Sequence, residues 1–166
     1  ADDQAARSRR AAGSLKRKAA YAQHKAESYE KGAVGERMVA EEVAPLERSG
    51  WSVLHDRRHP AGSNIDHLVI GPPGIAVVDA KNWTSAVTIT PDRRLVVTKD
   101  DHTVQLDRLN DTVDRIRAMV AADGVKVAVR GYLVLTGHAD RGRAGSELGD
   151  LRIIGVDQFR DRLSKA

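Results

Sequence analysis

Residues 64–81 read NIDHLVIGPPGIAVVDAK, two apolar segments that flank a Gly-Pro-Pro-Gly turn. Glycine and proline are the residues that favour tight turns, and the flanking segments are rich in the β-branched residues that favour strands. The stretch therefore predicts a hairpin with strands over 64–70 and 75–81. If the turn closes symmetrically, Asp66 lies directly opposite Asp79 on the neighbouring strand.

Period-two alternation places both carboxylates on one face of the hairpin, with β-carbons about 4.5–5.5 Å apart. Like charges at that spacing repel each other, so the pair needs a compensating positive charge. A divalent cation such as Mg²⁺, which takes carboxylate oxygens as ligands, supplies one. Lys81 lies on the same face, two residues after Asp79, and supplies another. His67 points to the opposite face, where we expect a packed core histidine.

A third carboxylate precedes the hairpin, in a helix predicted over residues 34–48. The apolar stripe of this helix consists of Val39, Ala40, Val43 and Leu46. Glu36 falls near the centre of that stripe at about 100° per residue, so we expect it to point toward the core. A carboxylate in that position needs a partner.

A simpler interpretation fits the same residues. Lys81 neutralises Asp79 on a surface hairpin, and Asp66 is solvated. Glu36 is then an acidic residue near a helix N-terminus, where the helix dipole favours negative charge.

The rest of the chain predicts alternating helices and strands. Helices are expected over 5–31, 104–122 and 156–163, with a break between the first two helices of the chain at Gly32 and Gly35. Further strands are expected over 51–56, 87–90, 95–98, 125–135 and 151–154, and a glycine-rich loop over 137–150. This order indicates an α/β protein with a central mixed β-sheet flanked by helices.

Composition excludes several classes of protein. The 166 residues include no cysteine, which excludes a disulfide scaffold, a thiol nucleophile and a Cys-ligated zinc site. No segment approaches the roughly 18 apolar residues of a membrane span, and since no charged-then-apolar segment opens the sequence we expect no signal peptide. We therefore expect no membrane partner and a reducing, cytoplasmic compartment.

The net charge of +4 resides in an N-terminal arm, defined as residues 1–31. The arm holds eight Lys or Arg and four Asp or Glu, whereas residues 32–166 hold 19 of each. A basic arm indicates a polyanionic partner, with DNA the first candidate. The candidate DNA contacts are Arg9, Arg10, Lys16, Arg17 and Lys18. In the alternatives, the arm is a solvated helix, or it packs on the body or on a second subunit of a homodimer.

Three motifs resemble the nuclease-related domain (NERD) family of the PD-(D/E)xK nuclease superfamily. They are GAVGER at 32–37, NIDHLVIGPPG at 64–74 and VDAKNW at 78–83. The similarity covers about residues 32–119. It implies a restriction-endonuclease-like core over residues 32–166 that follows the basic helical arm.

The resemblance also implies roles for individual residues. Glu36, Asp66 and Asp79 occupy the acidic positions of the family, and Lys81 occupies the lysine position. Gln105 resembles a polar residue that the family often carries on the following helix. A Mg²⁺ or Mn²⁺ ion would be held by Asp66, Asp79 and the Ala80 carbonyl, with Glu36 acting directly or through water.

These observations predict a metal-dependent nuclease that hydrolyses phosphodiester bonds in single- or double-stranded DNA. Two alternatives remain at this point. The first is a non-catalytic nucleic-acid-binding module of the same fold, and the second is an interaction domain that self-associates through the arm.

Overall fold

The computed structural model describes residues 2–59, 64–137 and 145–165, with side chains from Arg10 onward except that of Ala11. The elements within these ranges follow the order of helix, strands, helix, strands and helix that the sequence predicts. They are α1 (Asp2–Glu47), β1 (Ser52–Arg58), β2 (Asn64–Gly71), β3 (Gly74–Lys81), β4 (Val87–Ile89), β5 (Leu95–Val97), β6 (Asp100–Asp101), α2 (Thr103–Ala122), β7 (Val129–Leu135), β8 (Ser146–Leu148), β9 (Leu151–Gly155) and α3 (Val156–Ser164).

The strands of the described ranges form two sheets. Six of them make the central sheet in the order β1-β2-β3-β7-β9-β8, and β4, β5 and β6 make a small second sheet. Strands β1, β2 and β3 are antiparallel, whereas β3, β7 and β9 are parallel neighbours and β8 is antiparallel to β9. The predicted α/β fold with a mixed central sheet and an N-terminal helix is confirmed. The arrangement is consistent with a restriction-endonuclease-like core.

The β2–β3 hairpin has the predicted register. Its paired positions run from the turn as far as His67 and Val78. The same register places Asp66 across from Asp79, one step beyond the last pair. The hairpin therefore brings the two carboxylates to the point where β2 and β3 separate.

A hydrophobic core lies on each face of the central sheet. One core packs residues 34–47 of α1 and helix α3 against the sheet, through Val39, Val43, Val69, Val78, Val134 and Phe159. The other packs α2 and the small sheet, through Val77, Leu95, Leu109, Val113, Leu133 and Ile153. His67 is only 3% exposed. It projects from the face opposite Asp66, so the predicted core histidine is confirmed.

Two glycines let backbone segments approach closely. Gly74 adopts φ +132°, and a β-carbon there would come within 2.2 Å of the Ala128 carbonyl oxygen. At Gly131 of β7, a β-carbon would lie 3.0 Å from Val113 and 3.1 Å from Leu109 of α2. Helix α2 therefore packs directly on the backbone of the central sheet at Gly131.

The predicted helix break at Gly32 and Gly35 is wrong, because α1 is continuous through both positions. A glycine inside a helix costs only about 1 kcal/mol relative to alanine, so it does not by itself end a helix. Gly35 is buried, and a β-carbon there would lie 2.8 Å from the Thr136 hydroxyl oxygen. The glycine at 35 thus permits close packing and does not mark a boundary.

Contacts divide the chain into two units, Ala1–Ala33 and Val34–Ala166. The first unit consists of helix, and the second contains both sheets. The division into an arm over 1–31 and a nuclease domain over 32–166 stays a prediction.

Two further segments differ from the expected structure. The predicted strand over 125–135 begins only at Val129, where its pairing with Ile75 of β3 starts, and Val125 and Val127 before it are exposed. The predicted loop over 137–150 includes β8, which pairs with β9, and positions 138–144 of that loop lie outside the described residues. None of the helices, over the residues described, combines the length and hydrophobicity needed to cross a bilayer.

Candidate active site

The acidic pair lies where β2 and β3 separate, and each carboxylate has a different partner. The Ala80 backbone N–H donates a hydrogen bond of 2.8 Å to Asp66 Oδ2. The carboxylate thus occupies the place that a strand carbonyl would take in a regular ladder. Lys81 Nζ donates to Asp79 Oδ1 at 2.5 Å, and both of these side chains are 24% exposed. The lysine therefore already compensates one of the two negative charges.

The negative charge of Asp66 is compensated only in part. Burial, followed by the negative charge of Asp79, raises the pKa of Asp66 to about 7. The Ala80 N–H and Lys81 oppose this shift, and Glu36 adds to it weakly. Asp66 therefore carries a proton through much of the acidic range. A cation bound beside this carboxyl group would favour its ionised form and lower the pKa again.

The acidic pair opens into a cavity of about 350 Å³ between the hairpin and α2. Asp66, Asp79 and Lys81 line its sheet side. Gln105 lines it from the first turns of α2, so the structure brings four of the five proposed catalytic residues to one cavity.

Glu36 is the remaining proposed catalytic residue, and its position differs from the expectation. It is exposed and does not line the cavity, so the prediction that it points into the core is wrong. Its neighbour Gly35 is the buried position, where α1 packs against Asn82 and Thr136. Glu36 nevertheless lies close enough to Asp66 to raise the pKa of that carboxyl group.

The carboxylate oxygens of Asp66 and Asp79 suit a hard divalent cation, but they do not by themselves complete its coordination shell. Among the described residues, no three His, Asp or Glu side chains converge as metal ligands. The carboxyl groups of Asp66 and Asp79 supply the oxygen ligands that Mg²⁺ and Mn²⁺ prefer. Because Mg²⁺ usually retains several waters, one or two carboxylates with a backbone carbonyl suffice to hold it.

Three polar residues of the cavity wall were not predicted from the sequence as site residues. Arg108 and Thr112 line it from α2, and Asn64 lines it from the start of β2. One face of a helix carries positions 105, 108, 109 and 112. Once Gln105 is proposed as a site residue, this spacing predicts that Arg108 and Thr112 lie beside it. Arg108 has no ion pair with any described residue, which leaves its guanidinium available to an anionic ligand.

The proposed DNA contacts of the arm belong to the first unit. The side chains of Arg10, Lys16, Arg17 and Lys18 are exposed. The backbone of Arg9 is helical, but its side chain lies outside the described residues. Exposure leaves the four described cations accessible to a polyanion.

Together these features define an α/β protein with an acidic, lysine-bearing cavity at the end of a central hairpin. The family model of the nuclease-related domain (NERD) matches residues 31–136, which is more than half of the chain. The chain belongs to this family. No curated protein and no solved structure matches it. The matched range includes Glu36, the acidic pair, Lys81 and Gln105.

Proposed function

We propose that this protein is a divalent-metal-dependent deoxyribonuclease that hydrolyses phosphodiester bonds in DNA. The observation that carries the proposal is the partly buried Asp66 beside Asp79, with a raised pKa, in a cavity that Lys81 also lines. Membership in a nuclease-related family supports the same reaction class. A purely structural hairpin has no need for two adjacent carboxyl groups, because their repulsion destabilises the fold.

Asp66, Asp79 and the Ala80 carbonyl would hold Mg²⁺ or Mn²⁺, with Glu36 acting directly or through a water molecule. When bound, such an ion lowers the pKa of a coordinated water and neutralises charge on the phosphate. The ion would share with Lys81 the compensation of the Asp79 charge. The Lys81 ammonium group would then be available to orient the attacking water or to stabilise the phosphate oxygens.

Two residues of α2 complete the proposed machinery. The Gln105 amide can donate a hydrogen bond to the attacking water or to a phosphate oxygen. Arg108 presents a planar guanidinium, which recognises phosphate through paired N–H donors. We assign Arg108 to holding the DNA strand in the cavity, one turn along the helix from Gln105.

The proposal is tested by cleavage of circular single-stranded, circular duplex and linear duplex DNA with Mg²⁺, Mn²⁺ or EDTA. Wild-type protein is expected to cleave at least one substrate with a metal and none with EDTA. Asp66→Asn and Asp79→Asn should each abolish cleavage while the protein stays folded. Asp100→Asn removes one exposed carboxylate of the small sheet and should cleave as wild type does.

The exposed position of Glu36 favours one alternative, a non-catalytic DNA-binding module of the same fold. Salt-dependent DNA binding without cleavage under every metal condition would establish that alternative. Cleavage that survives in both Asp66→Asn and Asp79→Asn would contradict the acidic pair as the site.

A further inference from the structure

A second, basic cavity lies away from the acidic pair. It has a volume of about 130 Å³ and is lined by Arg130, Tyr132, Arg152, Arg162 and Lys165. Four of these five side chains are cationic, and no carboxylate lines this part of the described structure. Cations gathered around one space repel each other, so the arrangement favours an anion between them. We call this space the basic pocket.

The basic pocket and the acidic cavity lie on opposite faces of the central sheet and at different positions along its strands. Arg130 pairs with Ala76, whereas Asp79 pairs with Leu133, so the two sites differ by three residues along parallel strands. At about 3.3 Å per residue, this separation is about 10 Å along the sheet. Tyr132 also packs in the core formed by α1 and α3, on the face opposite Asp79. One ligand group cannot occupy both sites.

Two of the four cations, Arg152 and Arg162, form ion pairs with a carboxylate beside the basic pocket. Glu147, which does not line the basic pocket, pairs with Arg152 Nε at 3.1 Å and also with Arg162. Its carboxylate therefore lies between these two guanidinium groups and compensates part of their charge. Arg130 and Lys165 have no ion pair with any residue in the described ranges. Their charges remain available to a ligand.

Tyr132 provides a neutral donor among the cations. Its ring is buried against Phe159, with ring centroids 5.2 Å apart, which fixes the direction of the side chain. Burial raises the pKa of the Tyr132 hydroxyl above its ordinary value. The hydroxyl therefore stays protonated at neutral pH and can donate a hydrogen bond to an oxyanion.

We infer that the basic pocket binds a phosphate group. Guanidinium groups match the geometry of phosphate oxygens, and charge-assisted hydrogen bonds of this kind are roughly twice as strong as neutral ones. The volume suits a small oxyanion, since a single water needs only about 10–15 Å³. The neighbouring larger cavity shares Arg152, Arg162 and Lys165 but adds Glu147, Asp157 and Asp161, which repel further negative charge. The described residues therefore favour a single phosphate group as the ligand of the basic pocket.

The test measures the affinity of the full chain for inorganic phosphate by calorimetry, in EDTA and at constant ionic strength set with chloride. Arg108 of the acidic cavity can also bind phosphate, so each comparison is made between variants that leave this cavity unchanged. Arg130→Gln and Lys165→Gln should each weaken the affinity about tenfold, as loss of a charge-assisted hydrogen bond implies. Lys99→Gln makes the same charge change at an exposed position of the chain and should stay within about twofold of wild type.

Two further ligands distinguish the sources of the phosphate group. A nucleoside 5′-monophosphate presents a terminal phosphate, and an oligothymidylate without terminal phosphates presents only diesters. If Lys165→Gln binds either ligand more weakly and Lys99→Gln does not, the result supports the basic pocket. The ligand affected then shows whether the pocket takes a terminal phosphate or a phosphodiester. Equal affinities in Lys165→Gln, Arg130→Gln and Lys99→Gln, with native circular dichroism in all three, would overturn the inference. Phosphate binding no stronger than that of chloride would overturn it as well.

Discussion

At Asp66, a partly buried carboxyl group lies beside a second carboxylate, and the Ala80 backbone N–H donates one hydrogen bond to it. The pKa of this group is about 7 in the folded protein, against about 3.9 in an unfolded chain. Between these values the folded state binds more protons than the unfolded state. The contribution of Asp66 to stability is therefore present at low pH and is lost as the pH rises toward 7.

Asp66→Asn is expected to stabilise the metal-free protein at pH 8 by about 1–4 kcal/mol, and the advantage should vanish near pH 4. The asparagine oxygen can still accept the Ala80 hydrogen bond, so the substitution removes charge and keeps the hydrogen bond. Urea denaturation in EDTA at several pH values measures the difference. Asp100→Asn serves as the control, and a variant at Asp66 that is less stable than wild type at pH 8 would contradict the account.

Lys81 offers a second test at the same scale. If its ammonium group acts in the transition state, Lys81→Ala should lower kcat by about 100-fold or more, with little change in DNA affinity. Single-turnover cleavage and a separate binding titration in Ca²⁺ or EDTA distinguish the two quantities. Lys99→Ala controls for loss of one positive charge. An equal fall in affinity and rate would make Lys81 a DNA-binding residue and not part of the catalytic machinery.

At the scale of elements, α1 depends on Gly35 to approach the ends of β3 and β7. A β-carbon there would lie 2.8 Å from the Thr136 hydroxyl oxygen and 3.2 Å from Asn82 Cβ. Gly35→Ala should therefore cost about 1–3 kcal/mol in spite of the better helix propensity of alanine. Because Glu36 is the next residue, displacement of the helix should also lower the cleavage rate.

Gly32→Ala is the matched control for that substitution. It lies in the same helix, and no atom comes within 4 Å of its added β-carbon. It should stabilise the protein by about 0.5–1 kcal/mol and leave cleavage unchanged. Thermal denaturation of the two variants measures the contrast. Equal effects at both positions would show that propensity, and not packing, governs this part of α1.

The hairpin could be predicted from sequence because its information is local. The Gly-Pro-Pro-Gly turn and the alternation around it set the register, and the register alone brings Asp66 and Asp79 together. The position of Glu36 could not be predicted in the same way. It depends on which residue of α1 meets Thr136, a contact between segments about 100 residues apart. Arg108 was missed for a related reason, since no motif marks it until α2 is placed over the hairpin.

At the scale of the whole molecule, the basic arm and the acidic cavity belong to different units of the chain. We expect the arm to supply affinity for DNA that does not depend on sequence, and the second unit to supply the chemistry. Deleting residues 1–31 should flatten the plot of log K against log salt by about 0.9 for each duplex phosphate that the arm neutralises, or about 0.7 for single strands. We expect the arm to neutralise about two to four phosphates, and turnover at saturating DNA should survive the deletion.

Replacing Lys16, Arg17 and Lys18 with glutamine in the full chain provides a control that keeps the arm. The triple variant should reproduce part of the change in slope without changing the melting temperature or the molecular mass. An unchanged salt slope after deletion, with an altered mass or melting temperature, would instead show that the arm mediates self-association or packing.

The close approach of α2 at Gly131 also determines how wide the acidic cavity can be. Leu109 meets the backbone of β7 at Gly131, and the same helical face carries Gln105 and Arg108 toward the acidic pair. The width of the gap between α2 and the hairpin therefore depends on Gly131, which has neither a charge nor a side chain. In the proposed nuclease, the width of this gap would limit the thickness of the substrate strand that can enter. A larger residue at 131 would meet Leu151 as well as Val113 and Leu109, and would change that width by displacing α2. Selection among DNA forms could then change at this position while every charged group of the site stays the same.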